Sequence, residues 1–126
     1  MGTAATTDPV GADDRRALEL LGLAKRAGAA AVGTQAVREA ARRGSLRLLL
    51  IARDAGGNAR DRVLPLARAV EVPWAECGTT ASLGQALGRG RTVVAGIEEP
   101  RLAARVLELL GPEATGRERR RRRETE

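Results

Sequence analysis

Gly33, Thr34 and Gln35 follow a short apolar run and precede a helical pattern, and the chain's chemistry concentrates at this turn. A helix N-terminus leaves backbone N–H groups unpaired, and such groups attract anions. Gly33 lets a ligand backbone come close, and Gln35 carries both a donor and an acceptor for a base edge. Lys25, Arg26, Arg38, Arg42 and Arg43 lie near the turn in sequence, while Arg89 and Arg91 sit in a second loop. If the fold brings both loops to one edge, they form a positive patch suited to phosphates. From these residue types alone, an ordinary helix cap with solvated side chains accounts for the turn at least as well.

No enzyme constellation emerges. With no histidine there is no imidazole base, and Ser45 and Ser82 lack a recognisable nucleophile context. Cys77 ends a strand-like run and is expected to be a small apolar residue of the core or its rim. A single cysteine rules out an internal disulfide, and without histidine a Cys/His metal site is ruled out too. Gly56-Gly57-Asn58 lacks the Lys-Ser/Thr of a phosphate-binding loop and reads as turn geometry. No catalytic residue, metal or cofactor is expected. Arg119 to Arg123 are consecutive arginines flanked by Glu118, Glu124 and Glu126. Such a run adds salt-sensitive RNA affinity or simply solubilises a terminus, and both readings stand.

Composition narrows the partners. The 126 residues suffice for one domain with one ordinary core. They are 43% hydrophobic and 30% charged, which fits a globular chain. Trp74 is the sole aromatic residue, so the core must be built from Leu, Val, Ile and Ala. The same scarcity removes the stacking platform of many single-strand RNA binders. A net charge of +6, carried on arginines with Lys25 the one lysine, favours an anionic partner, nucleic acid first. No apolar run approaches a membrane span, and Met1 to Asp14 does not read as a secretory signal. The expected location is the cytoplasm, with no membrane partner.

These residues need elements to position them. Residues 1–12 read as a flexible leader. A helix is expected from Asp13 and Asp14 to Gly28, with Ala17, Leu18, Leu21 and Ala24 at helical spacing. Ala29 to Val32 reads as a short strand, Thr34 to Arg43 as a helix, and Leu46 to Ala52 as a central strand covered on both faces. A third helix is expected from Ala59 to Val70, although Pro65 argues for a start nearer Leu64. Val72 to Cys77 reads as a strand, and Thr79 or Thr80 caps a short helix through Leu87. Gly88 to Arg91 forms a loop, Thr92 to Ile97 a strand, and Pro100 opens a last helix. The domain is expected to span 13–112, followed by a disordered charged tail over 113–126. Alternating strands and helices predict an α/β fold: a three-layer α/β/α sandwich around a small mixed sheet of about four strands.

Several stretches in order resemble one family. They are Leu21-Gly-Leu-Ala-Lys-Arg-Ala-Gly28, Val32-Gly33-Thr34, and Leu48 to Ala55 followed by Asn58. Val72-Pro73, Gly78-Thr79, Leu83 to Gly88 and Val93 to Ile97 complete the set. Together they resemble the kink-turn RNA-binding ribosomal proteins, the L-seven-Ae and L-thirty-e superfamily, in its bacterial YlxQ-like branch. The resemblance covers about Ala17 to Leu110. It implies the α/β/α sandwich and recognition of a sharply bent RNA helix with tandem sheared G·A pairs. It implies a grip through a Gly-Thr-Asn-Glu-type turn, a Lys one helical turn later, and a hydrophobic loop between the last short helix and last strand. Gly33 and Thr34 match that turn. Gln35 stands where Asn is typical, Ala36 where many members have Glu, Glu39 where many have Lys, and Ala29 where a basic residue often follows Gly28. The expected function is that of a non-enzymatic RNA-binding protein, ribosomal or ribosome-associated, recognising structured RNA. Lys25, Arg26, Gly33, Thr34 and Gln35 are its expected primary contact, with Arg38, Arg89, Arg91 and Thr92 adding backbone contacts. The alternative, motivated by Ala36 and Glu39, is a protein-interaction module that binds RNA only nonspecifically, through its basic tail.

Overall fold

The computed structural model describes residues 12–110. The expected leader, apart from Ala12, and the expected tail lie outside the described residues. Among the described residues, five helices alternate with four strands. They are α1 (Ala12–Arg26), β1 (Ala30–Val32), α2 (Gly33–Arg43), β2 (Leu48–Ile51), α3 (Gly57–Ala69), β3 (Trp74–Glu76), α4 (Thr80–Ala86), β4 (Val94–Ile97) and α5 (Pro100–Leu110). The sheet runs in the order β1-β4-β2-β3. β4 pairs antiparallel with both β1 and β2, and β2 pairs parallel with β3, so the sheet is mixed as expected.

Burial explains the layering. Every residue of the two central strands, Leu48 to Ile51 and Val94 to Ile97, is buried. Their alternate side chains therefore need a helix layer on each face. On one face Leu48, Leu50, Ala95 and Ile97 meet Ala17, Leu21 and Ala24 of α1, Leu83 of α4, and Ala103 and Val106 of α5. On the other, Leu49, Ile51, Val94 and Trp74 meet Val37 and Ala40 of α2 and Val63 and Ala67 of α3. The result is the expected α/β/α sandwich.

Helix ends follow the local signals. Acidic Asp13 and Asp14 begin α1, and Lys25 and Arg26 end it, matching the helix dipole at both ends. Gly28 and Ala29 return their N–H groups to the carbonyls of Lys25 and Ala24, which stops the helix. Thr79 caps α4, accepting from the Ser82 N–H, while the Ser82 hydroxyl accepts from the Thr79 N–H. Several boundaries differ from expectation, β3 (Trp74–Glu76) and β4 (Val94–Ile97) being shorter than the runs Val72 to Cys77 and Thr92 to Ile97. α3 does not start near Leu64: it runs from Gly57 with Pro65 inside it. The cost of the lost bond is met by burying Val63 and Ala67 on either side of the proline, while Pro65 itself faces outward. β2 is shorter than its apolar run, because Leu46 and Ala52 are buried without joining the strand.

One buried charge ties three segments together. The Asp14 carboxylate accepts from Arg53 Nε at 2.9 Å and Nη2 at 3.0 Å, and from the Gly78 N–H at 2.9 Å. The Arg53 N–H in turn donates to the Gly78 carbonyl at 2.8 Å. The start of α1 is thereby fixed to the ends of β2 and β3. Burial pushes the Asp14 carboxyl up, but the hydrogen bonds from Arg53 and Gly78 and the Arg53 charge outweigh it and hold the group below its ordinary value. A lowered carboxyl contributes stability above the ordinary carboxylate range and loses it as pH falls through the folded value. Asp14→Asn is therefore expected to cost about 2 kcal/mol at neutral pH, roughly 10 °C in melting midpoint. The gap between variant and wild type should close as pH is lowered below about 4. Thermal melts followed by circular dichroism across that range check it, and a pH-independent gap would contradict the pairing.

Candidate nucleic-acid interface

Strand direction brings the two suspected loops together. Because β1 and β4 are antiparallel, with Val32 opposite Ala95, the turn that leaves β1 lies beside the segment that enters β4. Val32, Gly33, Arg89, Gly90, Arg91, Thr92 and Val93 line one cleft of about 330 Å³ there. Gly33 has φ of +90°, a conformation that side-chain-bearing residues rarely adopt. A Cβ at Gly33 would meet nothing within 4 Å, so the turn is open on that side. Val32 at the cap position supplies no side-chain hydrogen bond to the first turn of α2. Those N–H groups therefore retain their affinity for an anion.

The expected contact residues divide. Thr34 and Gln35 continue directly from Gly33, with Gln35 exposed, and Arg38 is exposed one helical turn further along α2. Arg89 and Arg91 are exposed on the opposite lip. Among the described residues, Arg38 and Arg89 have no acidic partner. Arg91 Nη2 lies 4.0 Å from Asp54 Oδ2, with its side chain 76% exposed, so it is barely restrained. Thr92 is placed differently from an exposed contact residue. It is 8% exposed, its hydroxyl donates to the Gly90 carbonyl at 2.9 Å, and its N–H donates to the Thr80 carbonyl at 3.0 Å. Those bonds fix the arginine loop from beneath. Lys25 and Arg26 do not join the cleft, because α1 belongs to the other helix layer. Lys25 Nζ donates to the Leu87 carbonyl at 3.5 Å, just before the arginine loop. Arg26 lines a separate cleft between α1 and α4, with Gly22, Ser82 and Gln85.

Acidic groups near the site are spoken for. Asp54 accepts from the Thr80 N–H at 2.8 Å and its hydroxyl at 3.2 Å. The Thr80 N–H bond, with the Thr80 hydroxyl and Arg91, outweighs desolvation and holds the Asp54 carboxyl below its ordinary value. Sequence reading had not singled out Asp54, whose place after a strand and before a Gly-rich turn was its only signal. Glu39 Oε2 lies 3.5 Å from Arg42 Nη1, so the negative charge on α2 has a cation one turn on. Cys77 is fully buried, and burial pushes its thiol up to about 12, with the Asp14 charge adding to the rise and Arg53 opposing it. The thiol is protonated at neutral pH and is no nucleophile there. Among the described residues no cluster of acidic, Cys or His side chains is arranged to hold a metal, and no helix is long and apolar enough to cross a membrane.

The left-handed turn at Gly33 has a measurable consequence. Gly33→Ala meets no steric obstacle, so its cost is conformational, about 1–2 kcal/mol. Urea unfolding should show that loss with an unchanged m-value, and an unshifted midpoint would contradict the turn.

The fold and sequence have relatives. A protein of unknown function from Bacillus halodurans C superposes with a TM-score of 0.70 at 28% identity, covering 75% of this chain and 96% of that one. The Giardia lamblia 15.5kD RNA binding protein superposes with a TM-score of 0.68 at 23% identity, covering 87% of this chain and 97% of that one. No curated protein sequence matches the chain. The profile of the Ribosomal protein L7Ae/L30e/S12e/Gadd45 family matches residues 15–106, nearly all of the α/β/α sandwich just described. The chain belongs to that family.

Proposed function

We propose that this chain is a non-enzymatic, cytoplasmic RNA-binding protein of ribosomal type that recognises sharply bent RNA through the cleft between the Gly33 turn and the Arg89–Thr92 loop. One observation carries the reading: the two loops the sequence marks for anion contact converge on a single open cleft. The name of the Giardia relative, an RNA binding protein with the same fold, supports the macromolecule class. Backbone N–H groups of α2 would face phosphate, Gln35 would reach a base edge, and Arg38, Arg89 and Arg91 would add charge-assisted contacts to the backbone. The ion pair of Glu39 with Arg42 limits the repulsion that a bare carboxylate would bring to that surface.

A titration separates this reading from a module whose RNA affinity lies in its tail. Full-length protein is titrated against a duplex carrying a bulge beside tandem sheared G·A pairs, and against a straight duplex of equal length. Binding to the bent RNA should be tighter by about tenfold or more, about 1.4 kcal/mol, and should survive deletion of residues 116–126. Equal affinity for both RNAs, abolished by salt and by the deletion, would assign the binding to the tail and leave the protein-interaction reading.

A further inference from the structure

Gly88-Arg89-Gly90-Arg91 has the composition of a floppy loop, yet its backbone is fixed at several points. The Arg89 N–H donates to the Gly84 carbonyl at 2.7 Å, and the Gly88 N–H donates to the Gln85 carbonyl at 3.2 Å. At the far end Thr92 is bonded to Thr80 and to Gly90. Most telling is the approach of α4 itself. A Cβ placed on Gly84 would run into the Gly90 carbonyl oxygen, and would lie 2.7 Å from its carbon and 3.0 Å from the Arg89 oxygen. These are backbone atoms, so no side chain can swing aside to admit even a methyl group. Gly84 is buried in the interior of a helix, where glycine is otherwise disfavoured by about 1 kcal/mol relative to alanine.

We infer that the arginine loop is a preorganised phosphate clamp and that Gly84, which never faces the ligand, is its positioning residue. The inference rests on the RNA-binding reading above. Seating the loop directly on α4 fixes where Arg89 and Arg91 leave the backbone, so less ordering remains to be done on binding. Both guanidinium groups are exposed beside the Gly33 turn, and their fork geometry matches phosphate oxygens. The one aromatic side chain, Trp74, is buried on the sheet, so the cleft offers no ring on which a base can stack.

The test is a variant cycle measured at several salt concentrations with the bulged, tandem G·A duplex as probe. Arg89→Ala/Arg91→Ala should weaken binding about tenfold and lower the slope of log affinity against log salt by about 1.5. Gly84→Ala, with its circular dichroism spectrum unchanged, should lose affinity and slope in the same direction, and should cost nothing further when added to the double variant. Thr92→Val removes the hydroxyl that holds Gly90 and should show the same non-additivity at smaller amplitude, which keeps the clamp testable if Gly84→Ala does not fold. Full additivity of Gly84→Ala or Thr92→Val with the double variant would overturn the positioning role. A loss of affinity with no change in salt slope would overturn phosphate as the ligand. If the double variant binds as wild type does, the cleft reading of function fails instead.

Discussion

The antiparallel pairing of β4 with both β1 and β2 is the constraint on which the rest depends. Leu48 to Ile51 and Val94 to Ile97 are buried on both faces, so neither strand can be stripped of a helix layer without exposing it. The pairing direction then decides which loops meet. With β1 antiparallel to β4, the exit of the first strand and the entry to the last lie at one end of the sheet. Parallel pairing would have sent the Gly33 turn and the arginine loop to opposite ends. The cleft between these loops follows from how the core is closed.

The same end of the sheet is stiffened by polar bonds of different kinds. Asp14, Arg53 and Gly78 join α1 to the ends of β2 and β3, and Asp54, Thr80 and Thr92 join the following turn to α4 and to the start of β4. A chain with one aromatic residue lacks large rings to wedge its layers apart. It uses close backbone approaches instead, most plainly where Gly84 meets Gly90. Carboxylates at this end are consumed in holding structure, while Arg38 and Arg89 keep no acidic partner among the described residues. A basic cleft on a rigid frame is the product.

Much of this was legible in the residues, for physical reasons that also mark where reading fails. The helix end at Gly28 and the Thr79 cap were legible because capping is local. The lengths of β2 and β3 were not, because hydrophobic runs report burial rather than ladder pairing: Leu46, Ala52 and Cys77 are buried outside their strands. Pro65 misled because tertiary burial of Val63 and Ala67 overrides a local cost. The pairing of Asp14 with Arg53 was illegible, since both residue types are ordinarily solvated and 39 positions separate them. The site was half legible. Gly33 declared itself through its place before a helix, but its meeting with Arg89 and Arg91 required the strand order. Lys25 and Arg26, close in sequence, belong to the other helix layer and miss the cleft.

The central claim is that RNA is gripped where the Gly33 turn and the arginine loop meet. Amide chemical-shift mapping of the full chain during titration with a bent, bulged RNA duplex tests it most directly. The account predicts the largest perturbations at Gly33, Thr34, Gln35 and Gly88 to Thr92, with Glu19, Gly22 and Arg26 of the α1–α4 cleft nearly unmoved. Perturbations confined to Arg117 to Arg123, or centred on the α1–α4 cleft while the Gly33 turn stays silent, would contradict it.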